Sequence, residues 1–177
     1  IAWGASLIAI KGFAAPEVGQ TYTYARQLCQ SLDNPRQLFP ILRGLHTHYN
    51  VRAEHQTAYA LGEQLLTLAQ QVQDSMMLLA AHRVLGTTLF FLGAVAAAHT
   101  HYTQGIALYD PQRHRASAFL YGDDAGVVCH SMGAWTLWFL GYPDQGLAWS
   151  HEALTLVQRV AHPFSLAFAL VLAAMFH

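Results

Sequence analysis

LGTTLFFLGAVAAAHTHYTQGIALYDP, Leu85 to Pro111, is the stretch on which the fold turns. Its first half is apolar enough to raise a membrane span, and its second half carries histidines that raise a metal site. A spanning helix needs about 20 consecutive apolar residues. The apolar run from Met76 to Ala98 is broken by His82, Arg83, Thr87 and Thr88 and divided by Gly86 and Gly93. The other apolar run, Phe164 to Phe176, is 13 residues long. Neither reaches the length of a span. Helices apolar on more than one face are expected instead to pack between neighbouring helices.

The stretch also has a second copy. HRVLGTTLFFLG (His82–Gly93) aligns with HSMGAWTLWFLG (His130–Gly141) at an offset of 48 residues, and Leu108 then matches Leu156. The first copy fits the tetratricopeptide pattern of L-G, then A-x3-F, then proline, through Leu85-Gly86, Ala98-x3-Tyr102 and Pro111. His82 stands where that pattern has tryptophan, and Leu89 where it has tyrosine. In the second copy Gly133-Ala134 replace L-G, so the repeat is divergent. Gly86, Ala98, Gly105, Ala134, Gly146 and Ala153 are small enough for two helices to approach closely. Leu89, Tyr102 and Leu137 fill the gaps between them. Gly93 and Gly141 are expected to end one helix in a left-handed conformation, and Asp144 to cap the next.

Breakers along the rest of the chain divide it into helices without any strand-like alternation. The expected pairs are Ile1–Lys11 with Pro16–Leu32, Pro35–Tyr49 with Ala53–Val72, Asp74–Leu92 with Ala94–Tyr109, and Asp124–Leu140 with Asp144–Val160. Pro163–Phe176 is half of a fifth. The expected fold is therefore all-α: a right-handed α-solenoid of antiparallel helix hairpins, tetratricopeptide-like, with about nine helices in one domain spanning residues 1–177. Extra residues near Pro111–Asp124 form either an ordered loop or an elongated helix.

Composition sets the partner classes. Apolar residues make up 54% and charged residues 11% of the 177, with a formal net charge of -1 and a single lysine, Lys11. Ordinary soluble domains carry about 25% charged residues. No basic stripe exists to neutralise phosphates, so nucleic acid is excluded as a partner, as is a polybasic contact with anionic lipid. Cys29 and Cys129 lie in no C-x-x-C pair, which fits a reducing cytoplasm, although a disulfide between them stays open. The chain begins at Ile1 without methionine and ends in an apolar run, and is expected to be an internal piece of a longer polypeptide.

The strings IALYDPQRHRASAFLYGDDAGVVCHS (Ile106–Ser131), LWFLGYPDQGLAWSHEALTLVQ (Leu137–Gln158) and AHPFSLAFAL (Ala161–Leu170) resemble the C-terminal helical-repeat region of large bacterial signalling proteins. In that family a nucleotide cyclase or protein kinase domain precedes a predicted signalling ATPase, and tetratricopeptide-like repeats follow. The resemblance is strongest from about Asp74 onward. It implies a sensor or scaffold region and transfers no catalytic residue.

Searches for chemistry return little. His46 and His48, like His99 and His101, are two apart, about 200° around a helix, and cannot share a metal. There is no HExxH, no phosphate loop, no G-x-S-x-G and no G-x-G-x-x-G. These histidines read as isolated surface or groove residues. His82 and His130, which recur at equivalent places, read as packing or hydrogen bonding at a helix interface. Asp123-Asp124 read as helix caps. No catalytic residue, metal or cofactor is expected.

Binding is the remaining option. In the tetratricopeptide register Thr87, Phe90 and Phe91, with Arg83 nearby, face the concave groove of one hairpin, and Trp135, Trp138 and Phe139 that of the next. Such a groove suits an apolar peptide or helix, or alternatively an apolar small-molecule effector that shifts a neighbouring domain. Trp135 and Phe90 are the best groove candidates, although aromatics at helical spacing usually serve as core. The lysine and asparagine ladder that grips a peptide carboxylate is absent, since Lys11, Asn34 and Asn50 are the only residues of those types. The apolar C-terminal helix is expected to form a homodimer contact.

Overall fold

A computed structural model describes residues 7–8, 10–30, 34–114, 118 and 122–176, with Gln30 described in its backbone only. Among these residues every regular element is a helix and there is no strand. Eight helices have defined bounds: α1 (Pro16–Gln30), α2 (Pro35–Val51), α3 (His55–Val72), α4 (Ser75–Phe91), α5 (Val95–Leu108), α6 (Ala125–Phe139), α7 (Pro143–Val160) and α8 (Pro163–Ala174). Most of the expected helix Ile1–Lys11 and the segment 31–33 lie outside the described residues. The chain divides into two compact units, Ile1–Met77 and Leu78–His177.

Side-chain caps start the helices. Asn34 accepts a hydrogen bond from the Gln37 amide (3.3 Å), Asp74 from those of Met76 and Met77, Asp124 from that of Val127, and His162 from that of Ser165. Each satisfies an amide that the first turn leaves without an intrahelical partner. Asp144 does not act this way. Tyr142 takes the N-cap position, with Pro143 at N1, and Asp144 falls in the first turn, where it meets the positive end of the helix dipole instead.

Tight turns with one bonding pattern connect three helix pairs. After α4 the Gly93 amide donates to the Phe90 carbonyl and the Ala94 amide to that of Leu89. After α6 the Gly141 amide donates to the Trp138 carbonyl and the Tyr142 amide to that of Leu137. After α2 the Ala53 amide donates to the Asn50 carbonyl and the Glu54 amide to that of Tyr49. The residue at the corner has positive φ each time: 60° at Ala53, 81° at Gly93 and 86° at Gly141. The expected left-handed glycines are therefore in place. Ala53 belongs to the same class of corner and is not the start of α3.

These landmarks revise the period. Asn34 and Asp74, like Ala53 and Gly93, are 40 residues apart; the 48-residue offset between Gly93 and Gly141 includes additional chain after α5. That chain is no elongation of α5, because Tyr109 is extended (φ -76°, ψ 127°) and ends it. A new helical turn opens at Pro111, where Asp110 accepts from the Gln112 amide (2.9 Å).

In the first unit α2 packs against both α1 and α3. The core there is Val18, Tyr22, Phe39, Ile41, Leu42, Leu45, Leu61 and Leu65. In the second unit α6 packs against α5, α7 and α8. Tyr102, fully buried, stands at the centre with Leu79, Val128, Cys129 and Met132. Glycine sets the approach of these helices. A Cβ on Gly86 would sit 2.7 Å from the Tyr102 ring, and one on Gly133 2.6 Å from the Trp149 ring.

The corners make a paired prediction. Ala53→Gly, which removes a Cβ from a left-handed corner, raises stability by about 1 kcal/mol. Gly93→Ala, where the added Cβ meets nothing within 4 Å, lowers it by about the same amount. Urea denaturation of the two variants checks both signs.

Candidate functional site

Four of the seven residues expected to line a groove form one aromatic cluster in the second unit. Phe90 lies at its centre. Its ring centroid is 5.7 Å from Phe91, 6.3 Å from Trp135 and 5.7 Å from Phe139, with interplanar angles of 80°, 62° and 63°. Edge-on pairs of this kind bring the positive ring edge to the negative ring face. Trp135 is tied down further, its indole N–H donating to the Leu172 carbonyl of α8 at 3.2 Å. Phe90 and Trp135 are half-buried and form the wall, whereas Phe91 and Phe139 are 54% and 64% exposed.

Trp138, three residues after Trp135 on α6, pairs with a different ring. It is 50% exposed and meets Phe176 edge-on, with centroids 5.4 Å apart. Between Trp135, Trp138, Phe139, Met175 and Phe176 lies a hollow of about 230 Å³. Met175 and Phe176 were not among the expected site residues. The signal for them was present, because the last apolar run reaches Phe176 and α8 ends level with the tip of α6.

Arg83 and Thr87 leave the group. The Arg83 guanidinium pairs with the Asp123 carboxylate, and both side chains are largely buried. Thr87 accepts from the Tyr102 hydroxyl (3.2 Å) and donates to the Arg83 carbonyl (3.0 Å). Both residues thus hold α4 to its neighbours and do not join the aromatic surface. Asp123 was expected as a cap; Asp124 alone does that, with its other oxygen accepting from the Tyr109 hydroxyl at 3.0 Å.

Several histidines are built into helix contacts, rather than being the isolated surface or groove residues expected; His151 is exposed. His46 and His48 are buried, and His48 Nδ1 donates to the Phe13 carbonyl at 3.0 Å. His99 Nδ1 lies 3.0 Å from the Thr136 hydroxyl, which itself donates to the Gly133 carbonyl, so the imidazole is the donor. His82 and His101 face one another across the α4–α5 contact, Nδ1 to Nδ1, at 3.0 Å. His130 does not repeat this arrangement: its Nδ1 donates to the Gly126 carbonyl within α6 at 2.8 Å, and its Nε2 lies 3.6 Å from Glu152 of α7. Among the described residues no group of three or more His, Cys, Asp or Glu is placed to hold a metal ion. No described helix is long and apolar enough to cross a membrane. Cys29 and Cys129 are both free thiols.

No family model matches the chain, and no curated protein matches it closely enough to count as a relative.

Two predictions separate wall from surface and test the histidine pair. Trp135→Ala lowers stability by about 2 kcal/mol, because it opens a void and removes the indole bond to the Leu172 carbonyl, which keeps the Met175 amide as its remaining donor. Phe91→Ser changes it by less than about 0.5 kcal/mol; chemical denaturation of both variants decides. Burial, and then the neighbouring His101, hold the His82 pKa down at about 4. The unfolded histidine takes up its proton near pH 6.5, so stability is full above that value and falls as pH drops towards about 4. His82→Gln flattens that fall, measured as urea midpoints from pH 7 down to pH 4.

Proposed function

We propose that this chain is a protein-interaction module. Its helix pairs stack as antiparallel hairpins in a right-handed α-solenoid of tetratricopeptide type. It serves as the non-catalytic regulatory scaffold of a bacterial signalling ATPase or nucleotide cyclase in the cytoplasm. The observation that carries the reading is the exposed aromatic edge of the second unit. Phe91, Trp138 and Phe139 stand at the C-terminal ends of α4 and α6, each at least half exposed, on a scaffold of half-buried rings. Large exposed aromatics held by rigid neighbours are the residues that dominate protein–protein recognition. The helical strings resembling bacterial cyclase and ATPase fusions support the signalling context.

The second reading is a small-molecule effector site. The hollow of about 230 Å³ bordered by Trp135, Trp138 and Phe176 favours it.

The first reading is tested by selecting peptides from a displayed library on the purified chain, then counter-screening on Phe139→Ser and Phe91→Ser. Peptides that bind the parent and lose affinity about tenfold or more on both variants support it. Binding that ignores both substitutions overturns it. Assays for ATP, GTP and cyclic-nucleotide turnover by this chain are expected to return no activity.

The C-terminal helix contributes a second contact. Leu166, Leu170, Val171 and Met175 are exposed, and no charged residue occurs from Pro163 to Phe176. A second copy can therefore meet this face without like-charge repulsion. The dimer is expected to form with rising concentration in sedimentation velocity, and Leu170→Glu to abolish it.

A further inference from the structure

The hollow between α6 and the end of α8 has an unusual lining. Trp135, Trp138, Phe139, Met175 and Phe176 border it, and no charged side chain is among them. The Trp135 indole N–H is already taken by the Leu172 carbonyl, so apart from the Trp138 indole N–H these side chains carry no strong hydrogen-bonding group for a polar ligand. What aromatic rings do offer is the negative potential of their faces, which attracts a cation within about 6 Å of the ring centroid, tryptophan most strongly. A thioether adds a polarisable contact of the same sense.

The rings are held in place. Trp135 is pinned by its hydrogen bond to the Leu172 carbonyl and backed by Phe90. Phe139 is backed by Phe90 as well and lies 6.5 Å from Trp135 at 57°. Trp138 and Phe176 meet at 80°. A site already set by its own packing loses little order when a ligand enters.

The local charge favours the same ligand. From Ser131 to Ser150 the only charged side chain is Asp144, an acid, which lies exposed in the first turn of α7. From Ala161 to Phe176 the sole titratable group is His162, which is buried and accepts at Nδ1 from the Ser165 amide. No lysine or arginine on the segments that build the hollow repels a cation. A small hydrated ammonium would have to surrender its water to ring carbon. A methylated ammonium carries its charge on an apolar shell and surrenders far less.

We propose that this hollow is an aromatic cage for a quaternary or trimethylated ammonium group. The group is carried either by a small solute such as choline or by a trimethyllysine side chain on a protein. The cage deepens the binding reading of the same aromatic edge and rests on it for the source of the ligand.

The test uses the whole chain and tryptophan fluorescence, with calorimetry as a second readout. The probes are tetramethylammonium, choline and the neutral isostere 3,3-dimethylbutan-1-ol. A trimethyllysine peptide and its unmethylated counterpart form the protein-source arm. Both small cations are expected to bind, with the neutral isostere weaker by about tenfold. Trp138→Leu, which keeps an apolar side chain at a half-exposed position, is expected to lose cation binding at an unchanged melting temperature, and Trp138→Phe to retain part of it. A trimethyllysine peptide that outbinds choline assigns the source to protein; the reverse assigns it to a free solute. Equal binding of choline and its isostere overturns the cage and leaves the peptide reading standing. Failure of every cation to bind overturns the cage too, while loss of the library-selected peptides on Phe139→Ser and Phe91→Ser tests the peptide reading by itself.

Discussion

A ring seated on a glycine is the contact that this molecule depends on. Tyr102 lies on Gly86, Tyr109 on Gly126 and Trp149 on Gly133, while in the first unit Tyr22 lies on Gly44 and His48 on Gly19. In each case a Cβ in place of the glycine hydrogen would meet ring atoms well inside van der Waals contact. The arrangement lets a large apolar side chain fill the space between two helices while their backbones stay close. It also explains how a chain so poor in charge remains ordered. Its specificity comes from matched shapes, and interiors packed to crystal-like density penalise a mismatch of even one methylene. Interior helices glycine-rich in this way give up some intrinsic helix propensity, about 1 kcal/mol per glycine against alanine, which the ring contact must offset.

That contact explains how much of the fold could be read in advance. The breakers and small residues of Leu85–Pro111 and its second copy placed α4 to α7 closely, because glycine and proline punctuate helices through backbone geometry alone. The corner at Ala53 was less visible. Alanine carries no signature of positive φ, so the 40-residue spacing between Ala53 and Gly93 was hidden behind the 48-residue match. The caps at Asn34, Asp74 and Asp124 follow the chemistry of short oxygen-bearing side chains. The cap at His162 does not, and only its position before Pro163 and Ser165 gives it away.

The candidate site was legible as a set of rings and illegible as a shape. Helical register put Phe90, Phe91, Trp135, Trp138 and Phe139 on outward positions, and they do gather near the helix ends. Register alone could not say that Phe90 and Trp135 would be the wall or that Trp138 would pair with a ring 38 residues further on. Arg83 shows the opposite case. A cation on the same helix face looks like part of a binding surface until Asp123, brought in from 40 residues away, neutralises it. A long-range partner of that kind leaves no trace in local spacing.

The placement of Cys129 has a chemical corollary. Its sulfur lies in the space left by Gly105, fully enclosed, and burial pushes the thiol well above its usual ionisation range. The thiolate is the reactive form, so oxidants and alkylating reagents find no nucleophile there. Cys29, half-buried on α1, is the only other sulfhydryl in the chain. Thiol chemistry in the folded state therefore falls to Cys29 in the first unit, and Cys129 joins it only on unfolding.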